Sequence, residues 1–399
     1  MKKITFLVLH LGYGGVESAT INSANALCKN YEVEIISFYK LLNNQENNIN
    51  KNVKIKYLYD GEPNKKEFMQ CLKKHKVFKA FKEGVKALSI LRKKKKFIIN
   101  ELKKCDSFAV VSTRMEFSTL LSKYGKNNII KIAQEHHHHN NDKKYIKTLS
   151  KKYYNIDYLF ALTEGLKQDY MKFLEKNKHT KVIVVPNMLA SFPDKKSDLK
   201  KHNLITVSRL DYGKRNNELI DIISKLNNDW KLFIIGDGKE YNNLLLQIEK
   251  LNLKDKVVLT GYKTKQEIED YMLESSIFLM ASVTEGLPMV LLEAMSYGIP
   301  CIAYRTDSGV SDIICNDNNG YVIKNRSEKV YIENLEKLID SYDLRKIMGN
   351  NALETSKKYL PNEIIEIWDK ILDEQWFLYG KGGIMKYNFI MIELWNIVI

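Results

Sequence analysis

The chain lacks the features that would place it in a membrane or in an oxidising compartment. None of its apolar runs reaches 18 residues, so the sequence predicts no membrane-spanning helix. Its five cysteines are odd in number and have no Cys-x-x-Cys spacing, which indicates reduced thiols rather than a disulfide framework or a zinc site. The apolar N-terminus runs into a glycine turn instead of a small-residue cleavage site, so we expect it to form a first strand. These absences favour a cytoplasmic protein.

The composition is that of a globular protein with an excess of positive charge. Hydrophobic residues make up 44% and charged residues 28% of a 399-residue chain, which predicts two or three folded domains. The formal net charge of +15 would suit nucleic acid, anionic lipid or a phosphate-bearing ligand. No recognised nucleic-acid-binding module is present, so nucleic acid is not the expected partner.

Short apolar runs alternate with helical patterns along most of the chain. The alternation is regular from 204 to 325 and predicts a parallel sheet. A polar, lysine-rich stretch at 191–203 is predicted to be a linker. We therefore predict an α/β protein with domains at 1–190 and 204–360, a C-terminal helix at 361–377, and a tail of unknown role at 378–399.

The stretch from Leu279 to Tyr304 reads as strand, loop, helix, turn and strand. Pro288 suits the first helical turn, where its missing N–H costs nothing. Gly298 ends the helix, and the proline that follows it prevents the helix from resuming.

Two carboxylates flank the start of this predicted helix. Glu285 lies in the loop after the strand, and Glu293 lies on the helix. The free amides of Gly286 and Leu287 stand at the helix start, where backbone N–H groups and the helix dipole favour an anion. Either glutamate alone is typical of a solvated surface, whereas the pair indicates a polar ligand at this site.

Two basic side chains follow another predicted strand. Arg209 and Lys214 lie in the loop after Leu204–Ser208, and open α/β sheets bind ligands beyond the carboxyl ends of their strands. An arginine fork can grip a diphosphate, and a lysine adds a point charge. Each alone is typical of a solvated residue, but together they indicate phosphate binding.

The first domain carries a glycine turn and a histidine tract after two of its predicted strands. Gly14 and Gly15 lie in a strand-to-helix turn, where glycine lets the backbone approach a ligand; a tight connection alone also explains them. Residues 136–139 are four histidines that directly follow a strand. Adjacent histidines on a loop cannot all bind one ion, and no cysteine completes a zinc set, so no metal is expected there.

The stretch Lys65–Lys96 is predicted to be helical and strongly basic. Its apolar residues recur at spacings of three and four between lysines, and residues 92–96 form an unbroken basic run. A solvated helix over the domain core explains this pattern. The alternative is a surface that lies against anionic lipid, as basic amphipathic helices do.

Taken together, these motifs resemble one enzyme family. Glu285 to Glu293 reads E-x7-E, and the Arg209–Lys214 loop resembles the family's diphosphate loop, with Ser208 and Arg215 in place of two usual glycines. Residues 319–322 resemble its Asn-Gly hairpin. The chain is thus similar to retaining glycosyltransferases of family 4, the glycosyl transferases group 1, whose GT-B fold consists of two Rossmann-like domains facing across a cleft.

The resemblance implies that a sugar is transferred from a nucleotide-sugar, with a UDP-sugar expected, and that the anomeric configuration is retained. The implied acceptor is a saccharide or lipid-linked saccharide of bacterial surface polysaccharide biosynthesis. Arg209, Lys214 and the amides near Gly286 to Pro288, namely those of Gly286 and Leu287, would stabilise the leaving diphosphate. Glu293 would accept hydrogen bonds from the ribose, and Glu285 from the transferred sugar.

The first domain would supply a histidine to the reacting sugar. His136 is the first candidate by resemblance, and His137 or His138 would replace it if the register shifts. The resemblance also implies donor contacts from Gly15, Tyr262, Gly286, Leu287 and Pro288, and acceptor contacts from Gly14, His137 and His138.

No Asp-x-Asp sequence occurs, so no metal cofactor is expected and basic side chains would replace the cation. Binding to lipid through Lys65–Lys96 would place the protein at the inner face of the cytoplasmic membrane. Two rivals share the architecture. A non-hydrolysing sugar-nucleotide epimerase is not expected to carry E-x7-E, and a non-catalytic partner subunit would bind nucleotide without transferring sugar.

Overall fold

A computed structural model describes residues 1–12, 14–41 and 48–379, and it contains two parallel β-sheets. The elements around the first sheet are β1 (Lys3–Val8), α1 (Gly15–Leu27), β2 (Glu32–Tyr39), β3 (Lys54–Tyr59), α2 (Lys65–Lys73), α3 (Val77–Lys104), β4 (Ala109–Ser112), α4 (Met115–Tyr124), β5 (Ile130–Gln134), α5 (Lys143–Lys152), β6 (Tyr158–Ala161), α6 (Glu164–Phe173) and β7 (Lys181–Val184).

The elements around the second sheet follow an irregular connection. They are β8 (Asn203–Val207), α7 (Asn216–Ser224), β9 (Lys231–Ile235), α8 (Tyr241–Lys250), β10 (Val257–Gly261), α9 (Lys265–Leu273), β11 (Ile277–Met280), α10 (Met289–Ser296), β12 (Cys301–Tyr304), α11 (Val310–Ile313), β13 (Gly320–Ile323), α12 (Glu328–Asp340), α13 (Tyr342–Lys357) and α14 (Pro361–Tyr379).

Both sheets have the same doubly wound order. The first runs β3-β2-β1-β4-β5-β6-β7 and the second β10-β9-β8-β11-β12-β13, and every described strand pair is parallel. The strand order therefore reverses between β1 and β4 in one sheet and between β8 and β11 in the other. Such switch points open a crevice at the carboxyl ends of the strands, which is where this class of sheet binds ligands.

The strands form because their apolar runs are covered on both faces. Every residue of β4, β6, β11 and β12 is buried, as expected for parallel strands between two layers of helices. The predicted fold class, two Rossmann-like α/β domains, is confirmed. The exact domain limits stay a prediction; residues 185–202 connect β7 to β8, and Asn203, the last residue of the predicted linker, is already the first residue of β8.

The last described helix packs against the first domain. Trp368 of α14 is buried, and its ring centroid lies 6.1 Å from that of Phe6 and 4.9 Å from that of Phe160. The hydroxyl of Tyr31 also donates to Asp369 at 2.7 Å. Because α14 follows the second domain in sequence, these contacts connect the C-terminal part of the chain to the first sheet.

The two domains also meet at the ends of their strands. Leu162 and Leu287, one from each domain, belong to a single cluster of buried apolar side chains. A Cβ placed on Gly286 would lie 2.8 Å from the carbonyl oxygen of His136, closer than real Cβ contacts come. A glycine at 286 therefore lets the loop after β11 touch the loop after β5.

Three details differ from the sequence-based expectations. Residues 319–322 do not form a hairpin, because Gly320–Ile323 pairs in parallel with β12 as an edge strand. The stretch Lys65–Lys96 is not one helix: it is interrupted after Lys73, and His75 has a positive φ of 51°. Pro288 is the N-cap of α10 rather than a residue of its first turn. Residues 380–399 of the predicted tail lie outside the described residues.

None of the helices in the described ranges combines the length and apolar character that a membrane crossing requires.

Candidate functional site

The second switch point brings a lysine and a glutamate together. Lys214 lies in the loop after β8 and Glu285 in the loop after β11, and the Lys214 Nζ donates to Glu285 Oε1 at 2.6 Å. Their side chains retain 26% and 14% of their exposure, so the ion pair is partly shielded and still open to a ligand. A lysine ammonium has three N–H donors, so Lys214 can bind a further acceptor while it holds Glu285.

Neighbouring loops hold this pair in place. The N–H of Val283 donates to the Gly213 carbonyl at 2.9 Å, which joins the two strand-end loops. The Ser308 hydroxyl donates to the Glu285 carbonyl at 3.1 Å. Gly309 has a φ of 87°, and a Cβ there would lie 2.6 Å from the Gly286 carbonyl oxygen, so this position requires glycine. The helix-start loop is therefore fixed from both sides.

The basic loop after β8 contains one strained residue. Arg215 has φ 52° and ψ 36°, the left-handed region that glycine adopts without cost and that strains a residue with a side chain. Its guanidinium lies over the Tyr212 ring, 3.8 Å from the centroid. The Arg215 side chain therefore packs on a residue of its own loop.

The other predicted donor residues lie around the same crevice. Arg209 is exposed, and its guanidinium lies 3.3 Å from Asp211. Glu293 is solvent-accessible on α10, yet the protein around it raises the pKa of this carboxyl by desolvation, opposed by the charge of Lys265. Tyr262 is exposed just beyond β10. The site roles of these residues stay predictions.

Two histidines of the tract face different surroundings. His136 is buried, and neither ring nitrogen has a hydrogen-bond partner among the residues that the structure describes. Burial, with smaller contributions from His137 and Arg114, lowers the pKa of His136 to about 3, while the Asn187 side chain opposes the shift. His136 is therefore a neutral ring with unused polar atoms, next to Gly286.

His137 is the histidine of the tract whose pKa is affected by charges from both domains. The residue is exposed to solvent, although the surrounding protein desolvates its ring. Burial is the largest cause lowering the pKa of His137; Arg114 and Arg209 lower it further, whereas Glu17 and Glu285 raise it. These charges come from both sheets, so His137 lies between them. The choice among His136, His137 and His138 for the reacting sugar stays open.

His138 and His139 are engaged in building the loop. The Nδ1 atom of each accepts a backbone N–H two residues further on, at 2.9 Å from Asn140 and 3.1 Å from Asn141. His139 Nε2 lies 3.0 Å from Asp169. His138 Nδ1 also lies 3.0 Å from Asn140 Oδ1. His138, His139 and Asp169 come close enough together to hold an ion, and the expectation that no metal binds there stays a prediction.

A buried carboxylate next to the histidine tract accepts hydrogen bonds from the surrounding helices. Glu135, the residue before His136, accepts hydrogen bonds from the hydroxyls of Tyr153, Tyr145 at 3.1 Å and Ser118 at 3.5 Å. Burial raises the pKa of Glu135 to about 7, although the three hydroxyls oppose the shift. Glu135 thus connects the end of β5 to α4, α5 and the residue that follows α5.

Sequence reasoning missed a second ion pair, at the first switch point. Arg114 follows β4, and Glu17 lies in the first turn of α1 after β1; Arg114 donates to Glu17 Oε1 at 3.2 Å. His10 Nδ1 lies 3.4 Å from the same oxygen. The available signal was that Glu17 and Arg114 follow strands flanking a switch point, but the strand order is needed to see it.

Comparison with known proteins identifies this architecture. Residues 187–355 match the family model for glycosyl transferases group 1. An uncharacterized glycosyltransferase of Haemophilus influenzae is 28% identical over 93% of this chain and 100% of its own length. The amylovoran biosynthesis glycosyltransferase AmsD of Erwinia amylovora is 37% identical, but the match spans only 44% of this chain and 49% of AmsD.

Solved structures share the whole two-domain fold. Staphylococcus aureus TarM superposes with a TM-score of 0.74 at 17% identity, covering 93% of this chain and 100% of TarM. HepE of Anabaena, in complex with UDP, gives a TM-score of 0.73 at 14% identity over 93% of this chain and 100% of HepE. The fold of the described chain is therefore GT-B.

The Glu135 network generates a pH-dependent prediction for stability. Because the folded-state pKa of Glu135 is raised from 4.5 to about 7, the folded protein binds this proton more tightly than the unfolded chain does. The contribution of Glu135 to the free energy of unfolding must then fall as pH rises from about 4.5 to about 7, and must level off above that. Urea unfolding of the parent and of Glu135→Gln across this range measures the difference.

The exposed Glu175→Gln serves as the control and should follow the parent at every pH. A Glu135→Gln stability difference that does not change between pH 4.5 and 7 would contradict the raised pKa.

Proposed function

We propose that this chain, whose residues 187–355 match the family model for glycosyl transferases group 1 and whose fold is GT-B, is a retaining glycosyltransferase of family 4 with a UDP-sugar as donor. The observation that carries this proposal is the convergence of Lys214, Glu285 and the start of α10 at one switch point. His136 and His137 lie opposite them, in the first domain. Among the described residues, neither imidazole ring uses both of its nitrogens in hydrogen bonds that build the loop.

The donor diphosphate binds at the start of α10. The amides of Gly286 and Leu287 and the cations of Arg209 and Lys214 provide donors to a group that gains negative charge as the sugar leaves. Glu285 accepts hydrogen bonds from the transferred sugar, and it already lies within 2.6 Å of Lys214. This contact places the sugar-binding and phosphate-binding groups on adjacent loops.

The nucleoside lies further along the crevice. Glu293 is solvent-accessible on α10 and accepts hydrogen bonds from the ribose hydroxyls. Tyr262, exposed beyond β10, lies near the base. A carboxyl with a raised pKa binds a diol best once it is ionised, so donor affinity should weaken in acid.

The reaction exchanges two bonds at one carbon. The bond from the anomeric carbon to the diphosphate breaks, and a bond to an acceptor hydroxyl oxygen forms on the same face. The acceptor proton leaves with the diphosphate, and the cations around Lys214 compensate the charge. His136 or His137 contacts the reacting sugar from the first domain. In this proposal basic side chains do the work of a cation, and no metal takes part.

We propose that the acceptor is a lipid-linked saccharide, because α2 and α3 form a surface that suits contact with lipid. Their facing surfaces form an apolar groove of about 700 Å³. Phe78 is 93% exposed and Phe81 74% exposed, which is unusual for large apolar side chains of a globular protein. Exposed lysines border these rings, including Lys79 and Lys82. Apolar rings among cations are typical of a helix lying in a bilayer interface.

The position of α3 relative to the sheet agrees with this role. Lys93 lies over the ring of Tyr59, the last residue of β3, and Lys94 pairs with Glu116 in the first turn of α4. Both contacts lie at the carboxyl edge of the sheet, on the cleft side. Residues 77–89 precede these contacts along α3 and span about 20 Å at 1.5 Å per residue. In this proposal the acceptor reaches the cleft from the side of the groove.

Nucleotide binding tests the donor site. With EDTA present, UDP-sugars should raise the melting temperature more than GDP- or ADP-sugars, because only the folded protein binds them. Glu293→Gln should weaken binding by about tenfold or more, through loss of a hydrogen bond to a charged acceptor. Titration calorimetry with UDP measures the change.

The exposed Glu336→Gln on α12 is the matched control and should bind UDP like the parent. Parent-like binding by Glu293→Gln would remove Glu293 from the site. If no nucleotide-sugar bound the parent, the proposed donor site would be wrong.

Vesicle flotation tests the lipid-facing groove. Phe78→Glu with Phe81→Glu should reduce binding to phosphatidylglycerol vesicles by about tenfold or more, since two apolar anchors are lost. Lys79→Gln with Lys82→Gln should reduce binding to these anionic vesicles while leaving any binding to phosphatidylcholine unchanged. Leu246→Glu, an exposed apolar residue on α8, is the control. Flotation of the double Phe variant at the parent level would exclude the groove as the contact.

A further inference from the structure

The first switch point carries an ion pair that the donor site does not use. Arg114 directly follows β4 and Glu17 lies in the first turn of the helix after β1, much as Lys214 and Glu285 lie after β8 and β11. Each sheet thus has one acid–base pair across the gap where its strand order reverses. Ligands of doubly wound sheets bind at such gaps, which makes the first gap the place to look for a second ligand-binding site.

The protein shields the carboxylate of this pair almost completely from solvent and shields the guanidinium in part. The Glu17 side chain keeps only 7% of its exposure, and Arg114 keeps 35%. The Arg114 Nε atom is buried and has no hydrogen-bond partner among the described residues. Because Nε is enclosed by protein, a ligand would meet the terminal nitrogens of this part-exposed guanidinium, which offer N–H donors besides the one that Glu17 accepts.

The charge of Arg114 acts on the whole first-domain side of the cleft. It lowers the pKa of His10, His136 and His137, in each case as a smaller cause beside burial. Glu17 opposes it at His10 and His137. The pKa of His137 is also shifted by the charges of Arg209 and Glu285 in the second domain. The first ion pair and the donor-site residues therefore act on one space, with His137 between them.

We propose that Arg114 and Glu17 form the acceptor subsite, in which they bind adjacent hydroxyl groups of the acceptor saccharide. This inference rests on the proposed function, because it assigns the acceptor half of the same cleft. Arg114 donates to hydroxyl or ring oxygens, and Glu17 accepts from hydroxyls, so the two together complement a diol.

The chemistry of the pair favours hydroxyls over a phosphate. Glu17 is buried and accepts a hydrogen bond from Arg114, so its carboxylate stays beside any ligand that Arg114 binds. A phosphate there would face that carboxylate in a shielded site, where like charges repel strongly. A neutral sugar uses the donor and the acceptor at once. If the acceptor carries a lipid diphosphate, that group must lie elsewhere, on the side of the basic helix α3.

Steady-state kinetics of two reactions tests this assignment. The first is hydrolysis of the UDP-sugar that the parent prefers, which needs the donor site alone. The second is transfer from that donor to the best acceptor in a panel of alkyl glycosides of hexoses and N-acetylhexosamines. Arg114→Lys and Glu17→Gln should each raise the acceptor KM by about tenfold or more. UDP affinity and the hydrolysis rate should change less than about twofold, because neither residue lies in the donor crevice.

Three further measurements separate binding from folding. Lys123→Gln removes a positive charge at the far end of the same helix α4 and should keep the acceptor KM of the parent. Arg114→Lys with Glu17→Gln should cost less than the product of the single effects, because both residues hold one diol. Melting temperatures show whether a variant is folded.

The outcomes are distinguishable. Weaker UDP binding by Arg114→Lys at an unchanged acceptor KM would overturn the assignment and move Arg114 to the donor site. An unchanged acceptor KM in both folded variants would overturn it as well. Absence of donor hydrolysis and transfer in the parent would instead contradict the proposed function.

Discussion

The site depends on the close approach of two backbones, at Gly286 and at His136. A side chain at 286 would collide with the His136 carbonyl, and one at 309 would collide with the Gly286 carbonyl. The two glycines therefore set how closely the loop after β11 can approach the histidine tract. Because of that short distance, charges of the second domain reach His137 in the first. Charges that are partly shielded by protein interact more strongly than charges in water, so the residues of the two domains influence one another across this contact.

The same topology explains why charges are paired before any substrate binds. Both sheets reverse their strand order, and both gaps bring an acidic and a basic residue together. An unpaired cation or carboxylate in such a shielded place would be costly, so each neutralises the other in the ligand-free fold. A substrate that supplies both donors and acceptors can join such a pair without leaving a charge unpaired. Sugars are ligands of this kind, since each hydroxyl both donates and accepts.

Sequence reasoning reached the fold because parallel strands buried on both faces are short continuous apolar runs, as in Ile277–Met280. It also reached Lys214 and Glu285 separately, since each follows such a run. It did not reach their contact, because 71 residues separate them and only the strand order makes them neighbours. Arg114 and Glu17 were missed for the same reason. The predicted hairpin at 319–322 was wrong because an Asn-Gly turn fits equally well before a parallel edge strand.

The stereochemistry of turnover tests the central claim most directly. Proton NMR can follow UDP-sugar, an alkyl glycoside acceptor and the protein in one tube, and the anomeric coupling of the first product reports its configuration. The account predicts release of UDP together with a glycoside that keeps the anomeric configuration of the donor. An inverted linkage would contradict the proposed retaining mechanism. Conversion of one UDP-sugar into another without release of UDP would show an epimerase and contradict sugar transfer itself.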